Sequence, residues 1–151
     1  VLPWAGRHLL GEGGGQVAEH VAAATISPEL VPAEGSDGGI QSTEAVIGPY
    51  MLHDFFLYHA IGGRKAPREG FTLATQAFSG SFAPEVILKW VRVFYQRFFR
   101  AQFKRSASAD GPMVACVSLS PRGGWEMPSD ASPALWLAEC DEIRSELETQ
   151  P

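Results

Sequence analysis

The sequence predicts a mainly α-helical chain, and three stretches carry that prediction. Behind Pro84, the residues Ile87, Trp90, Val91, Phe94 and Phe98 recur at helical spacing and form one continuous apolar stripe to about Gln102. Between Tyr50 and Ala60, Leu52, Phe55, Phe56 and His59 repeat at the same period. A third helix is expected from about Ser132 or Pro133 to Glu148, with Leu135, Trp136 and Ile143 on it.

The remaining elements follow in chain order. Residues 1 to 24 hold two short helical candidates, with Gly11-Glu12-Gly13-Gly14-Gly15 as a connector and Val17, Val21 and Ala24 along one face of the second. The glycines do not complete Gly-x-Gly-x-x-Gly and no apolar strand precedes them, which argues against a dinucleotide-binding turn. Pro28 and Pro32 bias Thr25 to Pro32 towards extended backbone. Glu34 to Gly39 is expected to be an exposed, mobile loop.

Ser42 or Thr43 can cap a short helix that Gly48-Pro49 ends. Turn signals surround Gly62-Gly63, Pro67 and Gly80, with a helical candidate between Gly70 and Phe78. After Asp110-Gly111-Pro112, Met113 to Leu119 is short and partly β-like, and Asp130 is expected to cap the last helix.

Length and composition bound the function. A chain of 151 residues with 45% hydrophobic and 19% charged residues can bury a core, and 16 Gly and 11 Pro imply many turns. The longest apolar runs, such as Val21 to Ile26, fall far short of a bilayer span. The chain starts at Val1 without a secretory leader, which predicts that it continues upstream. Cys116 and Cys140 are expected to be free thiols of a reducing cytoplasm, since neither belongs to a Cys-x-x-Cys pair.

The net charge of -5 argues against a surface built for nucleic acid. Six of the twelve Lys and Arg residues nevertheless fall between Lys89 and Arg105, while Glu139 to Glu148 is acidic. Arg97, Arg100, Lys104 and Arg105 sit where positive charge complements a helix dipole, so the end of the long helix is the leading anion-site candidate. A solvated cationic helix end is the competing interpretation, and residue chemistry alone favours it. Ser118 and Ser120 lie near no His in sequence, and His53 and His59 are six apart, so neither a nucleophile nor a helical metal pair is supported. No Gly-x-x-x-x-Gly-Lys-Ser/Thr loop occurs.

Three ordered blocks shift these weights: Ile26-Ser-Pro-Glu-Leu-Val-Pro32; Ile47-Gly-Pro-Tyr-Met-Leu-His-Asp-Phe-Phe-Leu-Tyr58; and Gln102-Phe-Lys-Arg-Ser106 followed by Ser118-Leu-Ser-Pro-Arg122. Together they resemble glutamine-dependent NAD synthetases from about Thr25 to Ala131. The resemblance implies that residues 1 to 151 are the C-terminal portion of an α/β, Rossmann-like synthetase domain, mainly α as a fragment, with residues 132 to 151 as a terminal helix and tail. It implies an oligomeric, cytoplasmic ligase that adenylylates the carboxylate of nicotinate adenine dinucleotide with ATP and Mg, then forms NAD with ammonia from a separate glutaminase domain.

By the same resemblance, Lys104 contacts the dinucleotide with Phe103 and Arg105 as neighbours, and Ser27 lies near ATP. The family's Ser-Gly-Gly-x-Asp-Ser pyrophosphate loop and the glutaminase Glu, Lys and Cys have no counterpart here, which implies a chain that is inactive alone and names no catalytic residue or metal ligand. Gly124 and Glu126 replace acidic and basic residues of the family, which puts the Ser120 to Pro128 loop in question. A non-catalytic remnant that binds nucleotide or another chain stays open beside this reading, and a small nucleic-acid binder using Arg92 to Arg105 is weaker because that helix needs its aromatic residues for its buried stripe.

Overall fold

The computed structural model of the protein describes residues 2–24, 43–113 and 115–149. The described residues are helical or irregular, with no strand among them, so the partly β-like run Met113 to Leu119 does not join a ladder there. The segment Thr25 to Pro32 and the loop Glu34 to Gly39 lie outside the described residues. The chain divides into two compact units, 1–46 and 47–151.

The first unit is built on α1 (Leu2–Leu9) and α2 (Glu12–Ala23). Of the glycines expected as a connector, Gly11 caps α2 and Gly13, Gly14 and Gly15 lie inside it, and helix packing explains Gly15 together with Gly6. A Cβ on Gly6 would stand 2.9 Å from Ala18 Cβ, and one on Gly15 would stand 3.1 Å from the Gly6 carbonyl oxygen. Glycine lowers helix propensity by about 1 kcal/mol per residue, and here the close approach of the two helices offsets that weakness. The short helix α3 (Thr43–Ile47) follows the undescribed segment.

The second unit packs around α6 (Pro84–Arg100), the helix that the apolar stripe predicted. Pro84 begins it, where the missing N–H has no intrahelical partner to lose. Ile87, Val91, Phe94 and Phe98 are buried along it, and so are Leu88, Tyr95 and Phe99, which widen the stripe. Phe94 is the hub: Phe56, Tyr95 and Phe98 place ring centroids 5.9, 5.1 and 5.7 Å from it. Each such ring contributes about 1.5–3 kcal/mol by leaving water.

Helix α4 (Tyr50–Leu57) supplies Leu52 and Phe56 to this core and runs into a π-helical turn over Tyr58–Gly62. The Gly63 amide closes that turn on the Tyr58 carbonyl at 3.0 Å, and Arg64 then takes a left-handed φ of 51°. Helix α5 (Pro67–Ala77) starts earlier than the expected Gly70 because Pro67 opens it and Glu69 reaches back to the Ala66 amide at 3.2 Å. The last element, α8 (Ala134–Thr149), brings Cys140 and Ile143 to the core. Its first free amide, Ala134, is met by the Ser132 hydroxyl at 3.2 Å, so Ser132 supplies the side-chain contact expected of Asp130.

The acidic run of α8 faces arginines. Arg68 forms a fork on Glu146 at 2.6 and 2.9 Å, and its backbone amide donates to Glu139 at 3.2 Å. Arg92 donates to Asp141 at 2.8 Å and to the Leu137 carbonyl at 3.2 Å. These bonds are exposed or part-buried and contribute little each, but they set how α5 and α6 meet α8. Cys140 is fully buried and burial raises its thiol pKa to about 11, whereas Cys116 is exposed; both are free.

Two residues of this unit make measurable demands. Gly48 has φ 93° and a Cβ there would come within 2.5 Å of the Trp90 ring, whereas Gly80 has φ 81° in open space. Gly48→Ala is therefore expected to lose about 3 kcal/mol and Gly80→Ala about 1 kcal/mol, read from denaturant midpoints. Burial lowers the pKa of His53, partly opposed by the Asp54 carboxylate, and the His53 ring meets Phe94 edge-on at 5.4 Å. The unfolded chain takes up this proton below about pH 6.5 and the folded chain resists it, so stability falls as pH drops from about 6.5 to the lowered native value. His53→Leu should flatten that part of a stability-against-pH curve.

Candidate functional site

The long helix stops at Arg100, two residues short of the expected end. Ala101, at φ -91° and ψ 5°, breaks it, and Gln102–Ser106 forms a separate short helix, α7. The QFKRS residues thus occupy a turn that leaves α6, not its last turn. What fixes α7 is Gln102, which is 1% exposed.

The Arg105 guanidinium holds the Gln102 side-chain oxygen through Nε at 3.0 Å and Nη2 at 2.8 Å. Nη2 also donates to the Phe98 carbonyl, one of the acceptors that the end of α6 leaves unpaired. The cation lies 4.1 Å from the Phe98 ring centroid. Burial lowers the Arg105 pKa, as expected of a charge withdrawn from water. The structure thus commits Arg105 to clasping α7 onto α6.

Lys104 and Phe103 face the other way. With Gln96, Arg97, Arg100 and Ala101 they line an open pocket of about 410 Å³, and Phe103 is 58% exposed. Of the six cations between Lys89 and Arg105, Arg92 pairs with Asp141, Arg105 is turned inward and Lys89 lies 4.6 Å over the Trp90 ring. Arg97, Arg100 and Lys104 have no ion pair among the described residues. Three cations without acidic partners around one pocket, beside an exposed aromatic ring, suit a ligand that combines phosphates with a planar ring.

The neighbouring loop closes on itself. Ser118 Oγ accepts from the Ser120 amide at 3.3 Å, and the Gly124 and Trp125 amides both donate to the Ser120 carbonyl at 2.9 Å. A Cβ on Gly124 would lie 2.6 Å from Ser118 Oγ and 2.7 Å from its carbonyl oxygen. The absence of a charged side chain at Gly124 therefore has a local steric reason, and Arg122 binds back to Asp110 and the Ser108 carbonyl. Ser118 and Ser120 serve this turn; His53 and His59 pack on aromatic rings. Ser27 lies outside the described residues. Among the described residues no group of three or more His, Cys, Asp or Glu could hold a metal ion, and no helix is long and apolar enough to cross a membrane.

Comparison with known proteins bears on this pocket. No protein-family model matches the chain. The glutamine-dependent NAD(+) synthetase of Mycobacterium leprae is 37% identical to it across 87% of this chain, and those of Mycobacterium bovis and Mycobacterium tuberculosis are 36% identical across the same share. The chain is homologous to a segment of these synthetases. It spans 22% of the length of each. The similarity supports the family assignment that the three sequence blocks suggested, and it covers the segment that contains the pocket.

The inward Arg105 was not readable from sequence, because Gln102-Phe-Lys-Arg-Ser106 reads as one cationic patch until Ala101 breaks the helix. The roles of Arg105 and Lys104 separate on a stability measurement. Arg105→Ala strips the partner from the buried Gln102 oxygen and should cost about 1–3 kcal/mol in chemical denaturation. Lys104→Ala removes an exposed side chain and should stay within about 0.5 kcal/mol of the parent.

Proposed function

We propose that this chain serves as part of a glutamine-dependent NAD synthetase, where α7 helps hold nicotinate adenine dinucleotide while its nicotinate carboxylate is converted to an amide. The observation that carries this reading is the pocket of Arg97, Arg100 and Lys104, three cations left without acidic partners beside exposed Phe103. A dinucleotide offers a pyrophosphate to such cations and flat rings to such an aromatic residue. Lys104 is the direct contact in this reading, Phe103 borders the ligand, and Arg105 acts through Gln102 to keep both in place.

The parent enzyme in this proposal is a cytoplasmic homo-oligomer with an α/β, Rossmann-like synthetase domain, of which residues 1 to 151 form the C-terminal part and 25 to 131 the most family-like stretch. Its other segments supply the pyrophosphate loop and the glutaminase. ATP, with Ser27 near it, would activate the carboxylate as an adenylate, and ammonia would then displace AMP. The cations and exposed ring of the pocket fit the polyanionic dinucleotide, and this reading assigns no Mg ligand to the chain. The role of this chain is to bind and orient; no proton or nucleophile is assigned to it.

Calorimetry with nicotinate adenine dinucleotide and the 151-residue chain tests the site. Lys104→Ala is expected to weaken binding by about 1.5–3 kcal/mol, roughly ten- to hundredfold. Affinity for the parent chain should fall as salt rises, because the pocket is open to solvent. Binding unchanged by Lys104→Ala, or independent of salt, sinks the assignment.

A further inference from the structure

A second cavity, of about 350 Å³, opens between the π-helical turn, the start of α5, the C-terminal part of α6, the loop at Trp125 and the start of α8. Half of its lining residues are aromatic: Tyr95, Phe98 and Phe99 from α6, with Trp125 and Trp136. The rings are already set against one another, Phe98 to Trp125 at 5.4 Å and Phe99 to Trp136 at 4.7 Å between centroids. A volume of this size suits one or two fused rings, and such walls favour a planar guest that offers its face or edge to each.

The polar groups around the cavity choose the charge of the guest. Arg64 and Lys65 both border it. Lys65 is neutralised by Glu69 at 2.8 Å, whereas Arg64 has no ion pair among the described residues. Arg64 also stands at φ 51°, a left-handed conformation that disfavours side chains. The Tyr95 hydroxyl is already committed to the Lys65 carbonyl, to which it donates at 3.1 Å.

We propose that this cavity binds a small planar aromatic anion, its ring held among the α6 aromatics and the two tryptophans and its negative charge paired with Arg64. The aromatic walls account for the shape of the guest and the unpaired guanidinium for its charge. None of these groups belongs to the Lys104 pocket, so the proposal stands or falls separately from the dinucleotide reading.

The test uses ¹⁵N-labelled 151-residue chain, 2-naphthoate as the probe and the uncharged 2-naphthylmethanol as its counterpart. Binding of naphthoate should saturably shift the Trp125 and Trp136 indole N–H signals and leave those of Trp4 and Trp90 in place. It should be at least about fivefold tighter than binding of the alcohol, the size expected of one solvent-accessible charge pair. Arg64→Gly, which relieves the left-handed strain while removing the cation, should erase that preference; Lys104→Ala should keep it. No saturable shift at Trp125, equal affinity for the alcohol, or a preference that survives Arg64→Gly in a folded chain overturns the proposal.

Discussion

Burial of one face of α6 is the constraint on which the second unit depends. Phe94 touches aromatic residues from α4 and from α6 itself, and Ile87, Leu88, Val91 and Phe98 extend that contact along the helix. An α-helix with so wide an apolar face has little freedom to rotate, since turning it would expose several rings at once. The direction of its polar residues follows. Gln96, Arg97 and Arg100 remain on the outward side at its C-terminal end, where the helix dipole also favours positive charge.

Electrostatics then sorts cations that look equivalent in sequence. Those opposite α8 are neutralised: Arg92 by Asp141, Arg68 by Glu146. Arg105 is spent on a buried amide oxygen and a helix-terminal carbonyl, where leaving either unmet would cost more than the charge loses by partial burial. Lys89 lies on the face of an indole. Arg97, Arg100 and Lys104 are left without an ion pair to any described acid, so the local anion preference of an acidic protein arises from where its charges sit, not from their sum.

Much of the helical content was legible because it rests on period and breakers. The apolar stripe behind Pro84, the aromatic repeat after Gly48-Pro49 and the acidic terminal helix all appear close to where spacing placed them. What spacing could not convey was long-range. The glycines of residues 11 to 15 read as a linker, yet Gly13 to Gly15 lie in a helix, and at Gly15 the close approach of α1 leaves little room for a side chain. The early start of α5 depends on the bond from the Ala66 amide to Glu69, and the start of α8 on Ser132 rather than Asp130.

For the candidate site, Lys104 and Phe103 were legible as exposed members of a basic block, while the inward turn of Arg105 depends on the break at Ala101 and on a buried Gln102 that pattern alone does not reveal. The same break couples the two pockets through Phe98. Its ring carries the Arg105 guanidinium and also meets Trp125 and the aromatic cavity. A change that displaces Phe98 would therefore disturb the clasp on α7 and the wall of the cavity together, whereas Lys104 and Arg64 can each be removed without touching that ring's contacts. Phe98 is a structural link between the two pockets, and the charges at their mouths are separable from it.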